Sequence, residues 1–170
     1  MKDDLSNLEQ PSFIVFLGHG ASYCLYGTPE ENKKKVLFSA DDLSLFQNHN
    51  CFCLSCPSSE YLSVKAQSLL GFGDIPTEYL EIISERDLGD IHYMCGIDET
   101  DIELYKKYIV DIILHTIDCC GCDSLLIFYN KIKLYINKRI ADLLVNKEIQ
   151  NYRLMADLLY SWKSEIEYRR

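Results

Sequence analysis

Hydrophobic residues follow two rhythms along this chain: short unbroken apolar runs in the N-terminal half, and apolar positions three or four residues apart in the C-terminal half. Phe13-Ile14-Val15-Phe16-Leu17 is a continuous run that stops at Gly18-His19-Gly20. Such a run predicts a strand buried on both faces, the kind that belongs to parallel sheets. A polar loop over 27–35 gives way to Val36-Leu37-Phe38, after which Ser39 is placed to cap a short helix over 41–48. The next strand is expected over 51–55. It stops at Cys56-Pro57-Ser58-Ser59, where proline ends ladder pairing and the serines can cap a helix over 60–67. Leu69-Leu70-Gly71-Phe72 supplies a third apolar stretch before the Gly73-Asp74-Ile75-Pro76 turn. Strands alternating with helices predict a βαβ arrangement.

From about residue 99 the period changes. Ile102, Tyr105, Ile109, Ile112, Ile113 and Thr116 mark one face of a helix. A second helix is expected over 123–146 and a third over 148–168, the latter with Tyr152, Met155, Leu159, Trp162 and Ile166 on its apolar stripe. Cys119-Cys120-Gly121-Cys122 joins the first two, and Asn146-Lys147 the last two. The expected architecture is mixed α/β: a small parallel sheet flanked by helices over 1–97, followed by a three-helix C-terminal subdomain over 98–170.

A chain of 170 residues, nearly half apolar, can bury a core of its own. Its formal charge of −9 argues against nucleic acid as a direct partner, since phosphate binding relies on clustered Lys and Arg. The cluster Lys33-Lys34-Lys35 sits in a polar loop and reads as a solvated turn. Eight cysteines would suit a disulfide scaffold, but Met1 to Gln10 is polar and offers no export signal. The thiols are therefore expected to be reduced and the protein cytoplasmic. No apolar run approaches the roughly 20 residues that cross a bilayer, so no membrane role is expected. Gly71-Phe72-Gly73 is too short for a dinucleotide fingerprint, and no cofactor is expected.

The candidate chemistry lies where two strands end. His19 follows the first and Cys56 the second, and sites in open α/β sheets form beyond strand C-termini. A thiol becomes a nucleophile when a base takes its proton, and an imidazole can take that proton and later deliver it to a leaving amine. Glycines beside His19 allow close backbone approach, so the amides of Gly20 and Cys56 are the candidate oxyanion donors.

These residues resemble the caspase-like cysteine peptidases, which include caspases, gingipains, separases and the CHAT domains. Phe16-Leu17-Gly18-His19-Gly20 is similar to the strand and His-Gly of that family. Cys53-Leu54-Ser55-Cys56-Pro57-Ser58 resembles the strand and nucleophile segment, and Leu69-Leu70-Gly71-Phe72-Gly73 the strand after it. The resemblance covers roughly 13–75. It implies a cysteine endopeptidase with His19 as base and Cys56 as nucleophile, acting on a protein or peptide substrate within a regulated assembly of the bacterial defence or cell-death type. The family sets further strands ahead of the histidine strand, and only twelve residues precede Phe13 here, so the expectation is a minimal version, a sheet completed by a regulatory or sheet-completing protein partner, or a degenerate relative kept for binding. The alternative expectation is an inert caspase-like module that docks on a larger protein.

The other candidates are read as structural. Cys51 and Cys53 alternate within a strand as core residues, and Cys24 is an incidental or regulatory thiol. The spacings of Cys51, Cys53 and Cys56 and of Cys119, Cys120 and Cys122 match no paired zinc template, so no metal is expected. Asp74, Asp98 and Asp101 could orient an imidazole, but Asp98 and Glu99 fit a helix start better. His49, His92 and His115 carry no expected role.

Overall fold

The computed structural model describes residues 2–9, 11–27, 35–62, 66–90, 92–120 and 124–170. Lys33 and Lys34 of the basic cluster, residues 63–65 of the expected 60–67 helix, and Gly121 and Cys122 of the helix break lie outside these residues; the helix itself covers only Ser58–Tyr61, and Ala66 bridges to Gln47. The protein is mixed α/β with a mostly parallel central sheet. A short helix, α1 (Lys2–Ser6), precedes β1 (Phe13–Leu17). Next come β2 (His19–Ala21), β3 (Cys24–Tyr26), β4 (Val36–Phe38), a 3-10 helix (Ala40–Phe46), β5 (Asn50–Leu54), α2 (Ser58–Tyr61) and β6 (Ser68–Gly71). Helices α3 (Tyr79–Asp87), α4 (Glu99–Cys120), α5 (Leu125–Asn146) and α6 (Tyr152–Ser164) follow, and β7 (Glu167–Arg169) closes the chain.

The chain forms two compact units that are not consecutive stretches. One holds 1–75, 122–129 and 165–170; the other holds 76–121 and 130–164. A partition at residue 97 follows the change of hydrophobic period, which marks element type, whereas the compact units follow packing.

In the first unit, β1, β5, β6 and β7 form a four-stranded sheet in that order. β1 pairs with β5 and β5 with β6 in parallel, with Leu17 opposite Leu54 and Cys53 opposite Gly71. β7 is antiparallel to β6. The two faces of β5 separate by alternation. Cys51 and Cys53 join a core with Ile14, Leu25, Phe38, Phe46, Tyr61, Leu62 and Leu69. Phe52 points the other way, edge-on to Phe72 at 5.7 Å and to Phe128 at 5.1 Å between ring centroids.

Three expectations need correction. The first strand is not buried on both faces: β1 is the sheet edge, and Val15 and Leu17 are 48% and 59% exposed. A continuous apolar run cannot tell a central strand from an edge strand with one open face. The connection from β1 to β5 is not a plain helical crossover either, because β2, β3 and β4 form a separate three-stranded antiparallel sheet before the 3-10 helix. Finally, the last helix stops at Ser164 and Glu167–Arg169 becomes a strand, so the central sheet carries one antiparallel member. Ile166, which fits the helical stripe, is buried outside the helix.

In the second unit the residues of the α4 stripe, Ile102, Tyr105, Ile109, Ile112, Ile113 and Thr116, are all buried. Asp98 and Asp101 cap its start reciprocally: the Asp101 amide donates to Asp98 Oδ1 (2.9 Å) and the Asp98 amide to Asp101 Oδ2 (3.3 Å). Asn151 Nδ2 also donates to Asp101 Oδ2 at 2.8 Å. α6 buries Met155, Ala156, Leu158, Leu159 and Trp162 along one side. Lys147, with φ of 54°, turns the chain at the expected break after α5. Among the described residues no helix is long and apolar enough to cross a membrane.

Candidate active site

The parallel pairing of β1 and β5 brings the chains leaving their C-terminal ends side by side. The Gly18 amide donates to the Leu54 carbonyl at 3.1 Å, extending the ladder one step past β1. His19 then starts β2, with His19 opposite Tyr26 and Gly20 opposite Leu25. Gly20 is pressed against the nucleophile segment, where a Cβ would stand 2.8 Å from the Cys56 carbonyl oxygen and 2.9 Å from Ser55 Oγ. Only a residue without a side chain fits at that separation. The His-Gly and Ser-Cys segments are therefore in direct main-chain contact.

Cys56 is held from the other side. The Ile75 amide donates to Cys56 Sγ at 2.9 Å, and the thiol donates to the Ile75 carbonyl at 3.1 Å. Cys56 is partly exposed, whereas Ser55, Ser58 and Ser59 around it are buried. Ser58 ties the segment to β5 and β6: its hydroxyl donates to the Cys53 carbonyl at 2.5 Å and accepts from the Phe72 amide at 3.0 Å. The Ser59 amide donates to the Phe72 carbonyl at 3.1 Å, and a Cβ on Gly71 would meet Ser59 Cα at 2.8 Å. The turn bearing Cys56 is fixed by hydrogen bonds to two buried strands.

His19 is exposed, and its imidazole joins none of the side-chain hydrogen bonds among the described residues. The two segments are brought together; the imidazole and the sulfur are not hydrogen-bonded to each other. Cys51 and Cys53, read as core thiols, are buried, and burial pushes their pKa values up to about 12 and about 11. Cys24 is buried as well. His49 is buried and its Nδ1 accepts the Ser12 amide at 3.2 Å, a structural task. Among the described residues no group of three His, Cys, Asp or Glu side chains is placed to hold a metal.

Two contributors escaped the sequence reading. The turn over 73–75, which clamps Cys56 through Ile75, is itself held by Glu165: the Gly73 amide donates to the Glu165 carbonyl at 3.1 Å. The Glu165 side chain occupies the space a Cβ on Gly73 would need. Burial raises the Glu165 carboxyl above the usual range; the Asp74 amide, bonded to it, counters that, and the nearby Asp74 charge adds to it. Of the three aspartates considered, Asp74 lies on this turn, whereas Asp98 and Asp101 cap α4. No signal in the sequence could have linked Glu165 to this turn, because its position inside the expected 148–168 helix hid the turn between α6 and β7 where it lies.

Compared with family profiles, curated proteins and solved structures, the chain matches none.

Proposed function

We propose that this chain is a cysteine endopeptidase of the caspase-like kind, with Cys56 as nucleophile and His19 as base. The observation that carries the reading is the contact of Gly20 with the Cys56 carbonyl, which puts the residue before Gly20 and the thiol segment at one sheet edge. In this reading Cys56 turns about χ1 away from the Ile75 carbonyl toward the imidazole, a rotamer change that is fast for a partly exposed side chain. His19 takes the proton, the sulfur attacks the peptide carbonyl, the amides of Gly20 and Cys56 receive the developing oxyanion, and the proton passes to the leaving amine. A protein or peptide substrate, a regulated assembly of the defence or cell-death type and a reduced, cytoplasmic setting belong to the same proposal; they rest on the resemblance and on free thiols among the described cysteines.

One observation favours a second reading, an inert module of the same ancestry that docks on a larger protein. β1 leaves a sheet edge with Val15 and Leu17 exposed, and such an edge accepts a further strand. A pool of peptidyl ketone electrophiles separates the two. The peptidase reading expects covalent labelling confined to Cys56 and lost in His19→Ala; labelling that ignores His19 would favour the module.

A further inference from the structure

A thiol–imidazole contact lies in the other unit, which holds neither His19 nor Cys56. On α4, His115 Nε2 and Cys119 Sγ are 3.8 Å apart, one helical turn from each other. Tyr135 of α5 packs edge-on to the His115 ring at 4.4 Å between centroids. The Cys119 thiol beside the Tyr135 hydroxyl raises the phenol's pKa. Both His115 and Cys119 are exposed.

His115 and Tyr135 also form one end of a cavity of about 380 Å³ between the two helices, lined further by Asp111, Lys138, Arg139 and Asp142. The helices run antiparallel, since Arg139 stacks on Tyr108 (4.7 Å) while Tyr135 meets His115. Two cations and two carboxylates thus face one space. None of the four joins an ion pair within 4.0 Å among the described residues. Opposite charges around one cavity suit a ligand bearing both signs. Asp111, His115 and Cys119 stand along about 12 Å of one helix face at 1.5 Å per residue. An extended tripeptide spans about 10 Å.

We propose that this cavity receives a small zwitterionic disulfide of the glutathione class and that Cys119, beside His115 and Tyr135 at the end of the cavity, is thiolated by it. Lys138 and Arg139 take the carboxylates, and Asp111 and Asp142 the ammonium group. His115 accepts the proton of Cys119; the thiolate attacks one sulfur of the bound disulfide, a new S–S bond forms to Cys119 and the old one breaks. The departing thiolate takes the proton back from His115, so one disulfide is exchanged for another with no further oxidant.

The test is the full chain incubated with oxidised glutathione or with uncharged bis(2-hydroxyethyl) disulfide, quenched at intervals and mapped by peptide mass spectrometry. Cys95, an exposed free thiol, is the internal reference. Oxidised glutathione is expected to modify Cys119 about tenfold faster than Cys95. That ratio is expected to fall severalfold with the uncharged disulfide and in the Lys138→Gln/Arg139→Gln variant, and His115→Gln to slow Cys119 with both reagents. Equal rates at Cys119 and Cys95 with oxidised glutathione, or the same ratio with both reagents on the unmodified chain, would overturn the proposal. The two-reagent comparison needs no variant, so it stands whether or not a variant folds.

Discussion

Gly20 lies against the main-chain carbonyl of Cys56 so closely that a methyl group on Gly20 would stand 2.8 Å from that oxygen. This one contact joins the histidine segment to the cysteine segment, and it forbids any side chain at residue 20. Gly20→Ala is expected to cost about 1–3 kcal/mol through forced main-chain movement. Urea denaturation of the variant measures it, and a cost near zero would show that the two segments are not packed this way.

Ser58 carries the stability of the cysteine turn. Its buried hydroxyl serves the Cys53 carbonyl and the Phe72 amide at once, so Ser58→Ala leaves both polar groups without that partner. The expected loss is about 1–3 kcal/mol, read from the shift of the urea midpoint at unchanged slope.

Burial sets the thiols apart by pH. The pKa values of Cys51 and Cys53 are raised to about 12 and about 11, above an ordinary thiol value of 9.0, so the folded state disfavours their thiolates. Stability attributable to these groups is intact below pH 9 and is lost as pH rises through 9 toward 11 and 12. In native protein at pH near 8, iodoacetamide is expected to leave both unlabelled while Cys95 and Cys119 react; labelling of all described cysteines at one rate would contradict the burial.

Glu165 has the same sign of dependence at lower pH. Its folded carboxyl is raised above 4.5 by burial, so the folded state holds the proton more tightly, and stability falls as pH climbs from about 4.5 toward the raised value. Glu165→Gln is expected to flatten thermal midpoints across that window and to leave the midpoint below pH 4 nearly unchanged. An unaltered pH profile in the variant would mean that the carboxylate is not desolvated beside the 73–75 turn.

Local pattern carried much of this fold. The run Phe13 to Leu17, the strand around Cys51 and Cys53, the stretch at Leu69 and the stripe of α4 all follow from spacing alone, because each element's own side chains set its period. What spacing could not convey was context. Val15 and Leu17 are as apolar as Phe52, yet they sit on an edge strand, and only the pairing order of the sheet decides which is covered. Glu167–Arg169 has no intrinsic strand signal; it becomes β7 because β6 offers a free edge. For the candidate site, the approach of the Gly20 segment to the Cys56 segment was legible because parallel strands end side by side. Ile75, Ser58 and Glu165, which fix the turn around Cys56, depend on long-range contacts and were not.

The central claim concerns one thiol and one imidazole. The most direct measurement is the rate at which iodoacetamide alkylates Cys56 in native protein, residue by residue, with and without His19. The account predicts that Cys56 reacts about tenfold faster than the exposed Cys95 near neutral pH and that His19→Ala removes this advantage. Cys56 reacting no faster than Cys95, or equally fast without the imidazole, would contradict it.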